Sequence, residues 1–137
     1  GALKKQIEAQ ARSLGIESQV MLAGYRNDTR EIYQAADIFV FPSLREGLPV
    51  SVMEAMASGI PIVAADIRGN RDLIIDGKGG YLIENALDDR EYASKITDLI
   101  NNPEKIKRMT AFNLDRVLIF SIDNVKKQMT DIYEEYI

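Results

Sequence analysis

The chain has no cysteine and no histidine. Without cysteine there are no disulfides and no thiolate metal site. Without histidine there is no Ser-His triad, no imidazole general base and no His-ligated metal within these residues. Acid–base chemistry supplied by this chain has to come from carboxylates, Lys or Tyr. No apolar run reaches the roughly 18 to 20 residues of a membrane span. No signal peptide is visible, and the chain opens on Gly1 rather than Met. A basic excess is also lacking: 17 Lys and Arg face 21 Asp and Glu, for a net charge of −4. That balance argues against a bulk nucleic-acid binder, which carries a basic face.

What is present is the composition of an ordinary globular domain: 137 residues, 46% hydrophobic and 28% charged. A chain of this size buries roughly two-thirds of the surface its unfolded form exposes, so a real core is available. Leu3, Ile7, Ala11 and Leu14 have helical spacing, stopped by Gly15. Val20-Met21-Leu22 predicts a short buried strand. Asp28 followed by Glu31 predicts a capping box on a short helix that carries Ile32, Tyr33 and Ala36. Ile38 to Phe41 predict a second strand, closed by Pro42, which has no N–H for a ladder. Pro49 suits the first turn of the next helix. Val52, Met53, Met56 and Ala57 supply the buried side of that helix, and Gly59 ends it.

Ile60 to Ala64 predict a third strand, Asp66 to Asn70 a loop, and Asp72 to Ile75 an element of undecided type. A turn cluster from Asp76 to Gly80 leads into a last strand, Tyr81 to Ile83. Helix signals dominate after Asp88. Pro103 starts one helix and Ser121 caps another, whose stripe is Ile122, Val125, Met129, Ile132, Tyr133 and Tyr136. Short, nearly all-apolar strands alternating with helices predict an α/β fold. It is a Rossmann-like parallel sheet with helices on both faces, ending in helices. Such sheets bind ligands outside the carboxyl ends of their strands. Glu46, Gly47 and Asp66 to Asn70 then share one rim.

The segment from Ser43 to Gly59 carries the chemistry. Glu46 and Glu54 stand with seven residues between them, around a Gly-Leu-Pro turn. Carboxylates accept bidentate hydrogen bonds from adjacent sugar hydroxyls. The N–H groups of Val50 and Ser51 open a helix, where phosphates are favoured. Gly47 lets main chain approach a ligand closely. One segment thus offers a sugar clamp and an anion site together. Spacing alone leaves open a solvated loop Glu46 and a surface Glu54.

Ala35-Ala36-Asp37-Ile38-Phe39-Val40-Phe41-Pro42-Ser43, then Arg45-Glu46-Gly47-Leu48-Pro49, Glu54-Ala55-Met56-Ala57, Gly59-Ile60-Pro61-Ile62-Val63-Ala64 and Asp76-Gly77 closely resemble the carboxy-terminal half of family 4 glycosyltransferases, retaining enzymes of the GT-B fold. Arg68-Gly69-Asn70-Arg71-Asp72-Leu73 looks most like members that build bacterial exopolysaccharide or capsule. The resemblance implies transfer of a sugar, most simply from a UDP-linked donor, to a glycan or lipid-linked acceptor. It casts Glu46 as the catalytic-site glutamate that binds donor-sugar hydroxyls beside the reacting carbon. Glu54 holds the ribose. Gly47 and Leu48 offer main-chain groups to the sugar, and Val50 and Ser51 N–H groups to the diphosphate.

The loop Ala23 to Asn27 meets the nucleobase in the family, which makes Tyr25 and Arg26 nucleobase-proximal candidates; as surface-loop residues they are equally open to no role. Arg68 and Arg71 are open to a phosphate or acceptor role or to plain solvation. No metal and no cofactor are implied, the nucleotide sugar being substrate. By the same resemblance, residues 1–137 form a single, partial donor-binding domain. It lacks the family's opening strand-helix-strand with its Arg/Lys pair, and the N-terminal acceptor domain. The expected partners are the nucleotide-sugar donor, that acceptor domain and, through the last helix, a second copy; nucleic acid is not among them. The expected location is cytoplasmic, peripheral to the inner face of the membrane in the full-length enzyme. The rival expectation is a non-catalytic nucleotide-binding module.

Overall fold

The structure, a computed structural model, describes residues 1–135. Three parallel strands, β1 (Phe39–Phe41), β2 (Ile62–Ala65) and β3 (Gly80–Ile83), lie side by side in chain order. Phe39 pairs with Ile62, and Ile62 with Gly80. The crossovers are α3 (Val50–Ala57) and α4 (Arg68–Leu73); α1 (Lys4–Ser13) and α2 (Thr29–Ala35) precede the sheet. After it come α5 (Asp89–Ile100), α6 (Pro103–Arg116) and α7 (Ile122–Glu134).

Every residue of the central strand β2 is buried. Successive side chains of a strand point to opposite faces, so a strand covered on both sides needs an unbroken apolar run. Ile62 and Ala64 join Val52, Ala55, Met56, Leu73 and Ile74 in a core on one face. Val63 joins Ile83, Tyr92, Leu99 and Met109 on the other. Helices therefore cover both faces, as the sequence pattern predicts. Their ends follow the local signals. Asp88 accepts from the N–H groups of Arg90 and Glu91 at 3.1 and 3.0 Å, and Ser121 Oγ from that of Asn124 at 3.3 Å. Gly59 takes φ +74°, a left-handed stop that costs glycine little.

Polar side chains fasten α6 to the layers beneath it. Asn113 Nδ2 donates to the carbonyls of Ile60 and Gly79, both at 2.8 Å. Arg116 donates to the carbonyls of Leu73 and Asp72, at 2.5 and 2.9 Å, closing the end of α4. Tyr81 Oη donates to Asp98 Oδ2 at 2.5 Å, and Lys105 Nζ reaches the same oxygen at 2.6 Å. Lys105, then Tyr81, hold the Asp98 carboxyl below its ordinary value of 3.8. A depressed carboxylate stabilises the folded state above its unfolded pKa and loses that contribution as pH falls through the folded one. Lys105→Met should therefore be less stable than the wild type at neutral pH, and the gap should close as pH drops below 3.8. Urea melts at descending pH measure the gap, and a gap that ignores pH contradicts the assignment.

Four sequence expectations differ from the structure. Val20 to Leu22 form no strand. Val20 is extended (φ −110°, ψ 116°), but no strand pairs with it among the described residues, and Met21 is 88% exposed. An apolar triplet is a strand only where a ladder partner lies beside it. The capping box is not made: Asp28 is at the N-cap of α2 but makes no cap bond, because Arg26 takes its carboxylate. Asp66 to Asn70 are not all loop, since α4 starts at Arg68, with the N–H groups of Asn70 and Arg71 bonded to Ile67 O at 3.0 Å. Finally, Tyr133 is not packing: it is 63% exposed, and Ile122, Val125, Met129 and Ile132 are exposed with it. Tyr136 lies outside the described residues.

Candidate functional site

β1 ends at Phe41, and the chain then crosses the carboxyl edge of the sheet as a loop before entering α3. Ser43 Oγ donates to Glu46 Oε1 at 2.7 Å, which holds the half-buried carboxylate over the loop. Gly47 and Leu48 are exposed at the rim, while Pro49 is buried beneath it. Pro49 is the N-cap of α3, with extended backbone (φ −72°, ψ 117°), one residue before the first turn where its sequence places it.

No side chain caps α3. Its backbone bonding starts with the N–H groups of Val52 and Met53, which reach Pro49 O at 3.2 and 3.3 Å. The N–H groups of Val50 and Ser51 come before that first bond, as the opening donors of any helix do. They form the positive end of the helix dipole, where an anion is stabilised.

Glu54 sits one turn further along α3, exposed. It lines a cleft of about 530 Å³ together with Ala57 and Ser58 on its own side and Thr29, Arg30, Tyr33 and Gln34 of α2. Burial first, and then the Glu54 carboxylate, push the Tyr33 phenol above its ordinary value. The Tyr33 ring is fixed from behind, edge-on to Phe39 with centroids 5.6 Å apart. The site thus reads in order along α3: half-buried carboxylate, free amides, second carboxylate, cleft.

The nucleobase candidates are not in that cleft. Tyr25 is 97% exposed, and Arg26 is engaged by Asp28. The side chains that the fold brings to Glu54 come from α2, three to nine residues further on, a placement set by the contact between α2 and α3. Arg71 is likewise engaged, by Asp66, while Arg68 is exposed at the start of α4. The sequence puts Gly69 and Asn70 at the rim but assigns neither a role; both are buried. Asn70 Nδ2 donates to Ala65 O at 2.8 Å, tying α4 to the end of β2. The signal for them is a local conflict: a Gly-Asn pair is a poor choice inside a helix. No group of three or more acidic side chains able to hold a metal occurs among the described residues. Nor does any described helix have the length and apolarity to cross a membrane.

The family model for Glycosyl transferases group 1 matches residues 1–114. The putative glycosyltransferase EpsD of Bacillus subtilis (strain 168) is 35% identical over 136 residues, which is 99% of this chain and 35% of that protein. The crystal structure of Anabaena Alr3699/HepE in complex with UDP superposes with a TM-score of 0.89 at 25% identity, covering 96% of this chain and 36% of that one. The C-terminal domain of a glycosyl transferase group 1 family protein (LpcC) from Francisella tularensis superposes with a TM-score of 0.78 at 29% identity, covering 88% of this chain and 64% of that one. The chain spans about a third of the length of the curated relatives it matches.

Proposed function

Because this chain belongs to the group 1 glycosyl transferases, we propose that residues 1–137 are the donor-binding part of a longer GT-B enzyme. That enzyme transfers a sugar from a UDP-linked donor to a glycan or lipid-linked acceptor in bacterial polysaccharide synthesis, with retention at the anomeric carbon. Its acceptor-binding domain is a separate part of the longer protein. It works at the cytoplasmic face of the membrane, and the exposed stripe of α7 serves self-association.

One observation carries the proposal: the uncapped start of α3, flanked by Glu46 and Glu54 at the carboxyl edge of the sheet. In this reading Val50 and Ser51 donate to the diphosphate. The helix end offsets the charge that grows on the leaving UDP, so no metal is required. Glu46 accepts hydrogen bonds from sugar hydroxyls, with Gly47 and Leu48 main chain alongside. Glu54 accepts from the two ribose hydroxyls, and the base enters the cleft against α2. Support for UDP comes from HepE, whose structure holds it on the same fold.

Titration of the ¹⁵N-labelled chain with UDP tests the site. Amide shifts at Gly47, Val50 and Ser51 are expected, with smaller ones at Thr29 to Gln34. Shifts confined to α5, α6 and α7 would remove the assignment.

A further inference from the structure

Two glycines meet behind the proposed clamp, and they differ in what explains them. Gly69, in the first turn of α4, has a negative φ that any residue adopts. It is glycine for space. A Cβ there would lie 2.1 Å from Gly47 O, 2.9 Å from Gly47 C and 3.2 Å from Glu46 O. All three atoms are main chain, so no rotamer change relieves the clash. Gly47 is the reverse case: its φ is not left-handed, and a Cβ there would meet nothing within 4 Å. The protein's own packing therefore requires glycine at 69 and not at 47.

We propose that Gly69 is a positioning residue for the donor clamp, the missing side chain at 69 setting how deeply the Glu46–Gly47 main chain sinks onto α4. The inference rests on the donor-site reading above. The depth matters because the loop is short. Glu46 is held to it by Ser43, and three residues after Gly47 the free amides of α3 begin. A loop lifted off Gly69 carries the carboxylate and the helix start with it. The support below Gly69 is firm on its own account: α4 is anchored to β2 by the buried Asn70, and its far end is closed by Arg116. The clamp is the part that yields.

Gly69→Ala is the test, with Leu99→Ala as a control that loses core packing on the opposite face. Both are read by NMR at a temperature where each is folded. Gly69→Ala should displace the amides of Glu46, Gly47 and Leu48 before any ligand is added, and should weaken UDP binding at least about tenfold, as one distorted charge-assisted contact would. Leu99→Ala should leave those amides in place and bind UDP within about twofold of wild type, its cost falling on stability alone. A folded Gly69→Ala chain with unmoved 46–48 amides, or with wild-type UDP affinity, overturns the proposal. If Gly69→Ala does not fold, the wild-type titration decides. Gly69 must then shift together with Gly47 as UDP binds, and a stationary Gly69 beside a shifting Gly47 overturns the proposal. A wild-type chain that shows no UDP response anywhere from Glu46 to Glu54 sinks the donor-site reading instead. The ligand-free displacement in Gly69→Ala still judges the positioning claim.

Discussion

Glu46→Gln in the longer enzyme should lower sugar transfer by at least about 100-fold, the scale on which a preorganised electrostatic contact acts in a transition state. The substitution keeps shape and removes charge. Ser43 Oγ, which donates to the carboxylate at 2.7 Å, still finds an acceptor in the amide, so the loop keeps its anchor. What is lost is the doubly accepting anion that the proposal sets beside the reacting carbon. Glu54→Gln should behave differently. Its carboxylate is exposed on the second turn of α3, at the edge of the cleft, where the proposed contact is with ribose in the ground state and transition state alike. Uniform binding of that kind raises KM and leaves kcat, by roughly tenfold for a charge-assisted pair of hydrogen bonds. Initial rates over a range of UDP-sugar concentrations separate the two. Full activity in both variants would contradict the clamp, and equal effects on kcat would contradict the division of labour.

Asn113→Leu should cost about 2 to 4 kcal/mol of stability, the price of buried acceptors left without a donor, and so lower the melting temperature by roughly 10 °C for a chain of this size. Asn113 is 1% exposed, and its amide serves the carbonyls of Ile60 and Gly79, which precede β2 and β3. Leucine has the same number of side-chain heavy atoms and the same branching, but donates nothing. Gly79 O would keep only the N–H of Ile62 at 3.3 Å, whereas Ile60 O would lose its donor. The joint lies at the amino ends of the strands, opposite the clamp. Folded Asn113→Leu should therefore bind UDP as the wild type does. Calorimetric melts with a UDP titration check both halves, and an unchanged melting temperature would mean that water or another group satisfies those carbonyls.

Much of this fold can be read directly along the chain. The run Ile60 to Ala65 has no polar member because β2 is covered on both faces, and such runs alternating with helices are the pattern of a buried parallel sheet. Asp88 and Ser121 mark helix starts because caps act within three residues of themselves, and Pro103 marks one because its ring suits the first helical turn. The proposed clamp segment was legible as a candidate for the same reason: Glu46, the amides of Val50 and Ser51 at the start of α3, and Glu54 follow one another along one loop and one helix. Their spacing is their geometry. The failures share the opposite property. Asp28 and Glu31 match a capping pattern, yet Arg26 outcompetes the backbone for the carboxylate. Cleft walls are no more local: Tyr25 and Arg26 do not line the cleft beside Glu54, whose opposite wall is α2.

By itself the sequence determined the α/β class and, to within two residues, the three strands later seen at Phe39–Phe41, Ile62–Ala65 and Gly80–Ile83, because each is written in periodicity along a single segment; it also singled out Glu46 to Glu54 as the candidate clamp through the motif wording around it. Tertiary structure alone decided that Val20 to Leu22 stay unpaired, that Arg68 begins a helix, that α2 walls the cleft, and that the Glu46–Gly47 main chain packs against Gly69. Each of these depends on which atoms of a distant segment arrive within contact distance: a ladder partner for a strand, a carbonyl 2.1 Å from where a Cβ would stand. No local pattern carries that information.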